Sequence, residues 1–204
     1  MKNFWDERYS STEFAYGEEP NEYFKAQLSK LEPGKILLPG DGEGRNGVCA
    51  AKLGWEVESF DISSEGKKKA DKLAEKHEVA INFEVGRLED LSYKPNSFDV
   101  IALVFTHFNP EIRANYRKKF IELLKPGGLI ILESFSTKHL SYSADNPKVG
   151  GPKDVNLLTT LKQIEDEFEG LDVVELYQTE ADFNEGAFHV GKGDVVRFIG
   201  RKKV

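Results

Sequence analysis

Cysteine is all but missing from this chain: Cys49 stands alone among 204 residues. One cysteine excludes an internal disulfide framework and a cysteine-rich zinc site. No apolar run approaches the ~20 residues that span a bilayer. Met1 is followed by Lys2, Asn3, Phe4, Trp5 and Asp6 instead of an apolar signal core. A soluble, cytoplasmic protein with no membrane partner is therefore expected. An excess of basic charge is missing too. Lys and Arg number 28 against 35 Asp and Glu, a net charge of −7, so no nucleic-acid partner is expected. The 4 histidines do not fall at metalloprotease spacing, and no metal is expected. Repeats and low-complexity tracts are absent.

What is present is a globular composition, 39% hydrophobic and 31% charged, which argues against disorder. The length suits one domain, residues 1–204. Short apolar runs alternate with helical stretches. Strands are expected at residues 35–39, 56–61, 81–85, 98–105 and 129–135. Helices are expected at residues 44–53, from a Ser63 or Ser64 cap to about His77, and at 111–124 before Lys125-Pro126-Gly127-Gly128. That alternation predicts an α/β fold, a doubly wound and mostly parallel sheet with helices on both faces. The tail differs. After a helix at 157–168, strands at 171–182 and 194–201 have only a loop between them, which predicts a C-terminal antiparallel hairpin. Residues 1–34 read as an aromatic, charged flap and a helix over the sheet's carboxyl edge. Residues 141–151 read as a loop long enough to be a lid.

The first strand ends in Gly40-Asp41-Gly42-Glu43-Gly44-Arg45-Asn46-Gly47, and Asp61 ends the second about twenty residues later. Glycines permit a tight turn and close approach of a ligand, and an acid at that point binds ribose hydroxyls. Gly42 to Gly47 also satisfies G-x-G-x-x-G, so a dinucleotide is one alternative. Its pyrophosphate would meet the carboxylates of Asp41 and Glu43, a costly pairing of like charges. S-adenosylmethionine has the opposite preference, with an ammonium, a sulfonium and a ribose.

The turn, Asp61, Phe98-Asp99-Val100-Ile101 and Leu124-Lys125-Pro126-Gly127-Gly128 together resemble the ordered motifs of class I S-adenosylmethionine-dependent methyltransferases. Trp5-Asp6-Glu7-Arg8-Tyr9, Tyr16-Gly17-Glu18-Glu19-Pro20-Asn21, Phe105-Thr106-His107-Phe108 and Glu185-Gly186-Ala187-Phe188-His189-Val190-Gly191 extend the likeness to the tellurite-resistance and thiopurine methyltransferase-like branch. The resemblance implies a seven-stranded, Rossmann-like methyltransferase fold with S-adenosylmethionine as cofactor. It implies that Gly40, Asp41, Gly42 and Gly44 line the methionine part, with Arg45 and Asn46 at the helix start. Asp61 would hold the ribose, Ile62 the adenine, and Leu88 and Glu89 the adenine pocket. Leu38 and Arg87 stand where the family usually has acids, and Asp41 is a candidate substitute for the first. The implied acceptor is a small molecule, a thiol or chalcogen species in this branch, and the implied assembly a monomer or homodimer.

Methyl transfer is an in-line displacement that demands alignment and a dry site more than acid–base help. Trp5, Tyr9, Phe14 and Tyr16 are candidates for a covering lid, with Trp5, Tyr16 and Phe105 against the cofactor. His107 stands just past a strand end, where α/β sheets bind ligands, and is the candidate catalytic residue, as a base or as a wall of the acceptor pocket. His189 falls in the expected hairpin loop, within reach of an acceptor. Cys49 reads as core, and Lys67-Lys68-Lys69 as a solvated helix face. A nicotinamide-dependent oxidoreductase and a non-catalytic cofactor-binding protein are the alternatives.

Overall fold

The computed structural model describes residues 2–204. Its sheet has seven strands in the order β3-β2-β1-β4-β5-β7-β6. β1 (Lys35–Pro39), β2 (Glu56–Asp61), β3 (Asn82–Val85), β4 (Phe98–Val104) and β5 (Leu124–Phe135) are parallel. β7 (His189–Lys202) enters antiparallel between β5 and β6 (Leu171–Glu185). The dinucleotide-binding order 3-2-1-4-5-6 contains no such insertion. The doubly wound sheet and its antiparallel hairpin are as expected.

Strands buried on both faces must be apolar on both. Ile36, Leu38, Val100, Ala102, Leu129 and Ile131 pack beneath Phe24 and Leu28 of α2 (Glu22–Leu28) and Ala50 of α3 (Arg45–Lys52). Leu37, Ile101, Leu103, Ile130 and Leu132 pack beneath Phe120 of α5 (Pro110–Leu123) and Ile164 of α7 (Leu161–Glu167). Cys49 belongs to the first of these layers. α4 (Ser64–Lys76) takes its N-cap from Ser63, whose Oγ accepts from the Gly66 N–H at 3.1 Å. α1 (Lys2–Tyr9) lies against α4. Among the described residues, no helix is long and apolar enough to cross a membrane.

Several boundaries differ from expectation, each for a local reason. Leu124 is already extended and pairs with Phe98, and an irregularity between Phe98 and Val100 absorbs Lys125 to Gly128 within β5. α7 begins at Leu161 because Thr160 and Gln163 form a capping box; residues 155–157 are a separate 3-10 turn. The hairpin is longer than expected, and Glu185 pairs with His189 across a turn of only Gly186, Ala187 and Phe188. His189 therefore sits on a strand, 5% exposed, and not in a loop. The expected lid loop at 141–151 is also absent. α6 (His139–Asp145) and a 3-10 turn at Pro147–Val149 fill it, and Val149 is buried against Phe135, Leu158 and Phe183.

Candidate active site

The glycine turn leaves β1 and opens α3 at Gly44. Gly44 has φ +82, and a side chain there would meet the Ala70 Cβ at 2.5 Å, so α4 can approach only a glycine. Asp61 ends β2 directly beside this turn. Its Oδ2 accepts from the Gly42 N–H at 3.1 Å and its Oδ1 from the Ser63 N–H at 2.9 Å. Each oxygen keeps a lone pair. Burial pushes the carboxyl up to about 6, against the backbone N–H groups that hold it down. A 7% exposed carboxylate with two free lone pairs suits the hydroxyl pair of a ribose. Half-buried Ile62 follows it, and the Leu88–Asp90 turn lies beyond β3. Leu88 is packed into the core, whereas Glu89 is exposed and accepts from the Tyr116 hydroxyl.

Asp41 lies differently from its neighbours. The Ser59 hydroxyl donates to its Oδ2 at 2.9 Å, and a Cβ on Gly47 would meet that same oxygen at 2.5 Å. Its Oδ1 is buried without a partner among the described residues. Asp41 thus packs against β2 and α3, while Leu38, the position where the family usually has an acid, is apolar core. Burial pushes the Asp41 carboxyl up to about 7. The folded chain then holds a proton that the unfolded chain has released above pH ~4, so stability falls as pH rises from about 4 to about 7. Asp41→Asn is expected to remove that slope, gaining about 1.4 kcal/mol per pH unit on the parent across the window. Urea unfolding at pH 5 and pH 8 checks it: an equal difference at both pH values would refute a protonated Asp41.

Glu43, the other acid of the turn, holds the chain's own N-terminal part. It accepts from the Ala15 N–H at 2.9 Å, the Tyr16 N–H at 3.4 Å and the Lys69 ammonium at 2.7 Å. Lys69 also donates to the Glu13 carbonyl at 2.6 Å and is 8% exposed. The lysine run is therefore not wholly a solvated face; Lys69 shares the buried side of α4 with Gly66, Ala70 and Leu73. Arg45 donates to the Glu19 carbonyl at 3.2 Å and to Glu185 at 2.9 Å. Asn46 accepts from the Asn21 N–H at 3.0 Å. Glu43, Arg45 and Asn46 thus fasten residues 10–21, a strap, over the turn. α1 continues the cover. Asp6 accepts from the Ser63 hydroxyl at 2.7 Å, Trp5 stacks on Tyr9 at 5.5 Å, and the Tyr9 hydroxyl would stand 2.6 Å from a Cβ on Gly42.

The carboxyl end of β4 meets the turn from the other side. The Thr106 methyl would lie 3.1 Å from a Cβ on Gly40. Phe105 has φ +50, a conformation rarely adopted by a bulky side chain and often found at functional sites. Its ring stacks on Phe135 at 4.5 Å and meets His189 edge-on at 5.0 Å. Tyr16 lies 4.6 Å from His189 on another side. His107 stacks along Phe135 at 6.1 Å, and its Nδ1 is buried without a partner among the described residues. Burial pushes His107 down to about 4, with His189 adding to the effect. His139 accepts from the Asp194 N–H at Nδ1, leaving Nε2–H for the Gly150 carbonyl at 3.1 Å; it is a packing residue.

His189 is held by a carboxylate. Its Nδ1 lies 2.9 Å from Glu185 Oε2, while Nε2 has no hydrogen-bond partner among the described residues. Neither Glu185 nor Asn21 emerges from motif spacing as a site residue, since the contacts that join them to each other, to Arg45 and to Glu133 are more than 100 residues apart. A cleft of about 540 Å³ opens beside this hub, lined by Phe4, Arg8, Phe14, Ala15 and Phe188 among others. None of its lining comes from the glycine turn.

Comparison with known proteins agrees with this geometry. Residues 36–128 match the family model described as a methyltransferase domain. The chain is 34% identical over 106 residues to thiocyanate methyltransferase 1 of Brassica oleracea, covering 50% of this chain and 47% of that protein. It spans about half the length of the curated relatives it matches. Among solved structures, one described as conversion of a disulfide bond into a thioacetal group during echinomycin biosynthesis has a TM-score of 0.81 and 18% identity, covering 100% of this chain and 92% of that one. TehB from Haemophilus influenzae has a TM-score of 0.71 and 18% identity, covering 99% and 67%. Residues 36–128 thus carry a methyltransferase domain, and the inserted antiparallel strand, the glycine turn and the acid after β2 resemble those of the class I S-adenosylmethionine-dependent methyltransferases.

Proposed function

We propose that the protein transfers the methyl group of S-adenosylmethionine to a small, soft nucleophile, a thiol or chalcogen species. The observation that carries this reading is the Asp61 carboxylate at the glycine turn, facing the same strand edge as the aromatic and histidine wall at the end of β4. Asp61 accepts the ribose hydroxyls, and the positive φ of Gly40, Gly42 and Gly44 gives the tight turn beside which the methionine part lies. Ile62 and Leu88 give the adenine an apolar bed. Trp5, Tyr9 and Tyr16 cover the site and exclude water. When bound, the cofactor supplies an electrophilic methyl, whose bond to sulfur breaks toward sulfur as the acceptor's lone pair takes the carbon.

His189 Nε2 receives the proton of an acceptor that arrives neutral. Burial keeps this imidazole uncharged near neutral pH, with Glu185 opposing. His107, pushed down to about 4, is a poor base for a thiol and serves as a wall of the acceptor pocket. The likeness to a thiocyanate methyltransferase supports a soft sulfur acceptor. Calorimetry tests the cofactor: S-adenosylhomocysteine is expected to bind and NAD to give no heat. The reverse result would remove the reading.

A further inference from the structure

Glu185 joins three parts of the chain that are distant in sequence. Its Oε2 accepts from Arg45 Nη2 at 2.9 Å and lies 2.9 Å from His189 Nδ1. Its Oε1 accepts from Asn21 Nδ2 at 3.3 Å. Arg45 opens α3 at the glycine turn, Asn21 ends the strap, and His189 faces Glu185 across the hairpin. We propose that Glu185 is a positioning residue for methyl transfer: it aims His189 Nε2 at the acceptor, and its hold depends on the strap and the glycine turn closing around it. This rests on the reading that His189 takes the acceptor's proton.

The chemistry of the pair dictates the tautomer. An ionised carboxylate only accepts, so Nδ1 must carry the proton and Nε2 must keep its lone pair. Burial works against the Glu185 charge, but His189 and Arg45 outweigh it and hold the carboxyl down at about 2. It therefore stays ionised throughout the neutral range. The other charged or titratable groups around His189 are Arg8 from α1, Arg45 from α3, Tyr16 from the strap, and His107 and His139 from beyond β4 and β5. None of them supplies a second carboxylate.

The strap also fixes where the hairpin tip stands. Gly186 has φ +61, and a Cβ on it would lie 2.4 Å from the Gly17 nitrogen and 2.5 Å from the Ala15 oxygen. The Ala187 N–H donates to that Ala15 oxygen at 3.0 Å. Ala15 is the residue whose N–H is held by Glu43 of the glycine turn. Asn21 reaches further, donating to buried Glu133 of β5 at 2.6 Å. A strap seated on the turn therefore seats the tip, and the seated tip presents Glu185 to both Arg45 and His189. Arg45 and Asn46, expected to touch the cofactor, act in this arrangement on the acceptor side through the strap and Glu185.

The test compares the parent with Glu185→Gln, Glu185→Asp and His189→Asn. The first readout is imidazole ¹⁵N NMR of His189 with S-adenosylhomocysteine present. The parent is expected to show protonated Nδ1 and free Nε2, Glu185→Asp to retain that tautomer, and Glu185→Gln, an uncharged amide that can accept or donate at Nδ1, to show a mixture of both tautomers. The second readout is methylation of 2-mercaptoethanol, followed across pH. Glu185→Gln should lower kcat at least tenfold and move the acid limb of the profile to lower pH, with the dissociation constant for S-adenosylhomocysteine changed less than threefold. Glu185→Asp should regain part of kcat. A parent-like tautomer in Glu185→Gln overturns the inference even where the thiol turns over too slowly to follow. If His189→Asn loses turnover while Glu185→Gln keeps it, the positioning role falls and the base reading stands. If His189→Asn turns over like the parent, the base reading itself falls.

Discussion

Replacing Glu43 by alanine is expected to destabilise the fold by roughly 3–5 kcal/mol, because it breaks a buried ion pair from one side. The carboxylate's side chain is 2% exposed and that of Lys69 is 10% exposed. Without Glu43, the ammonium retains only the Glu13 carbonyl, and the Ala15 and Tyr16 N–H groups lose their acceptor. The strap should then lift from the turn, so protease cleavage within residues 10–21 should accompany a lower urea midpoint. Lys69→Met in the same chain should restore part of the loss, since no unpaired charge is left buried. A Glu43→Ala chain with the parent's midpoint and the parent's resistance to cleavage would show that Glu43 does not hold the strap.

Elements made from local signals were legible in the sequence. β1 and β2 have the bounds that their apolar runs suggest, and Ser63 caps α4 through its own hydroxyl. The antiparallel placing of β7 followed from a connection too short for a crossover. Boundaries failed where partner strands decide them. Lys125-Pro126-Gly127-Gly128 looks like a break between helix and strand, but Leu124 finds a partner in Phe98 and the chain is extended through it. The hairpin outran its apolar residues because backbone pairing continues past them to Glu185 and His189. The segment after β5 looks like a loop because Pro147, Gly150 and Gly151 punctuate it. Its fold instead follows from His139 stacking on Phe135 at 3.9 Å and from Val149 entering the same cluster.

The site divides along the same line. The glycine turn and Asp61 could be read from spacing, because one strand, one turn and one helix place them. The strap could not, since its contacts have no period: Glu43 meets Ala15, Arg45 meets Glu19 and Glu185, and Asn46 meets Asn21. Three residues that look like ligands for a cofactor are partners for the protein's own backbone and side chains. Lys69 carried a usable signal, its spacing with Gly66, Ala70 and Leu73 on one helical face. Within a run of three lysines, that signal is masked by the two exposed neighbours.

Asp61→Ala is expected to raise the dissociation constant for S-adenosylhomocysteine by one to two orders of magnitude. On the proposed reading, the substitution removes charge-assisted hydrogen bonds to the ribose, of the order of 1.5–3 kcal/mol. It also leaves the Gly42 and Ser63 N–H groups without their acceptor, so the turn itself should loosen. Asp61→Asn separates the two effects: its carbonyl oxygen can serve one N–H, while the amide cannot accept from the hydroxyl pair as a carboxylate does. Acidification of the parent should mimic the loss. The free carboxyl sits at about 6, and hydroxyl donors favour its ionised form, so binding should weaken as pH falls below about 6. The charges of Asp6 and Asp41 and the Tyr9 hydroxyl lie close to the same group, and the last two flank the turn. The comparison is therefore the parent against Asp61→Asn, with calorimetry at pH 5 and pH 8. A steep pH dependence in the parent and a shallow one in Asp61→Asn is the expected pair of results. Equal slopes would place the titrating group elsewhere, and an unchanged dissociation constant for Asp61→Ala would place the ribose elsewhere.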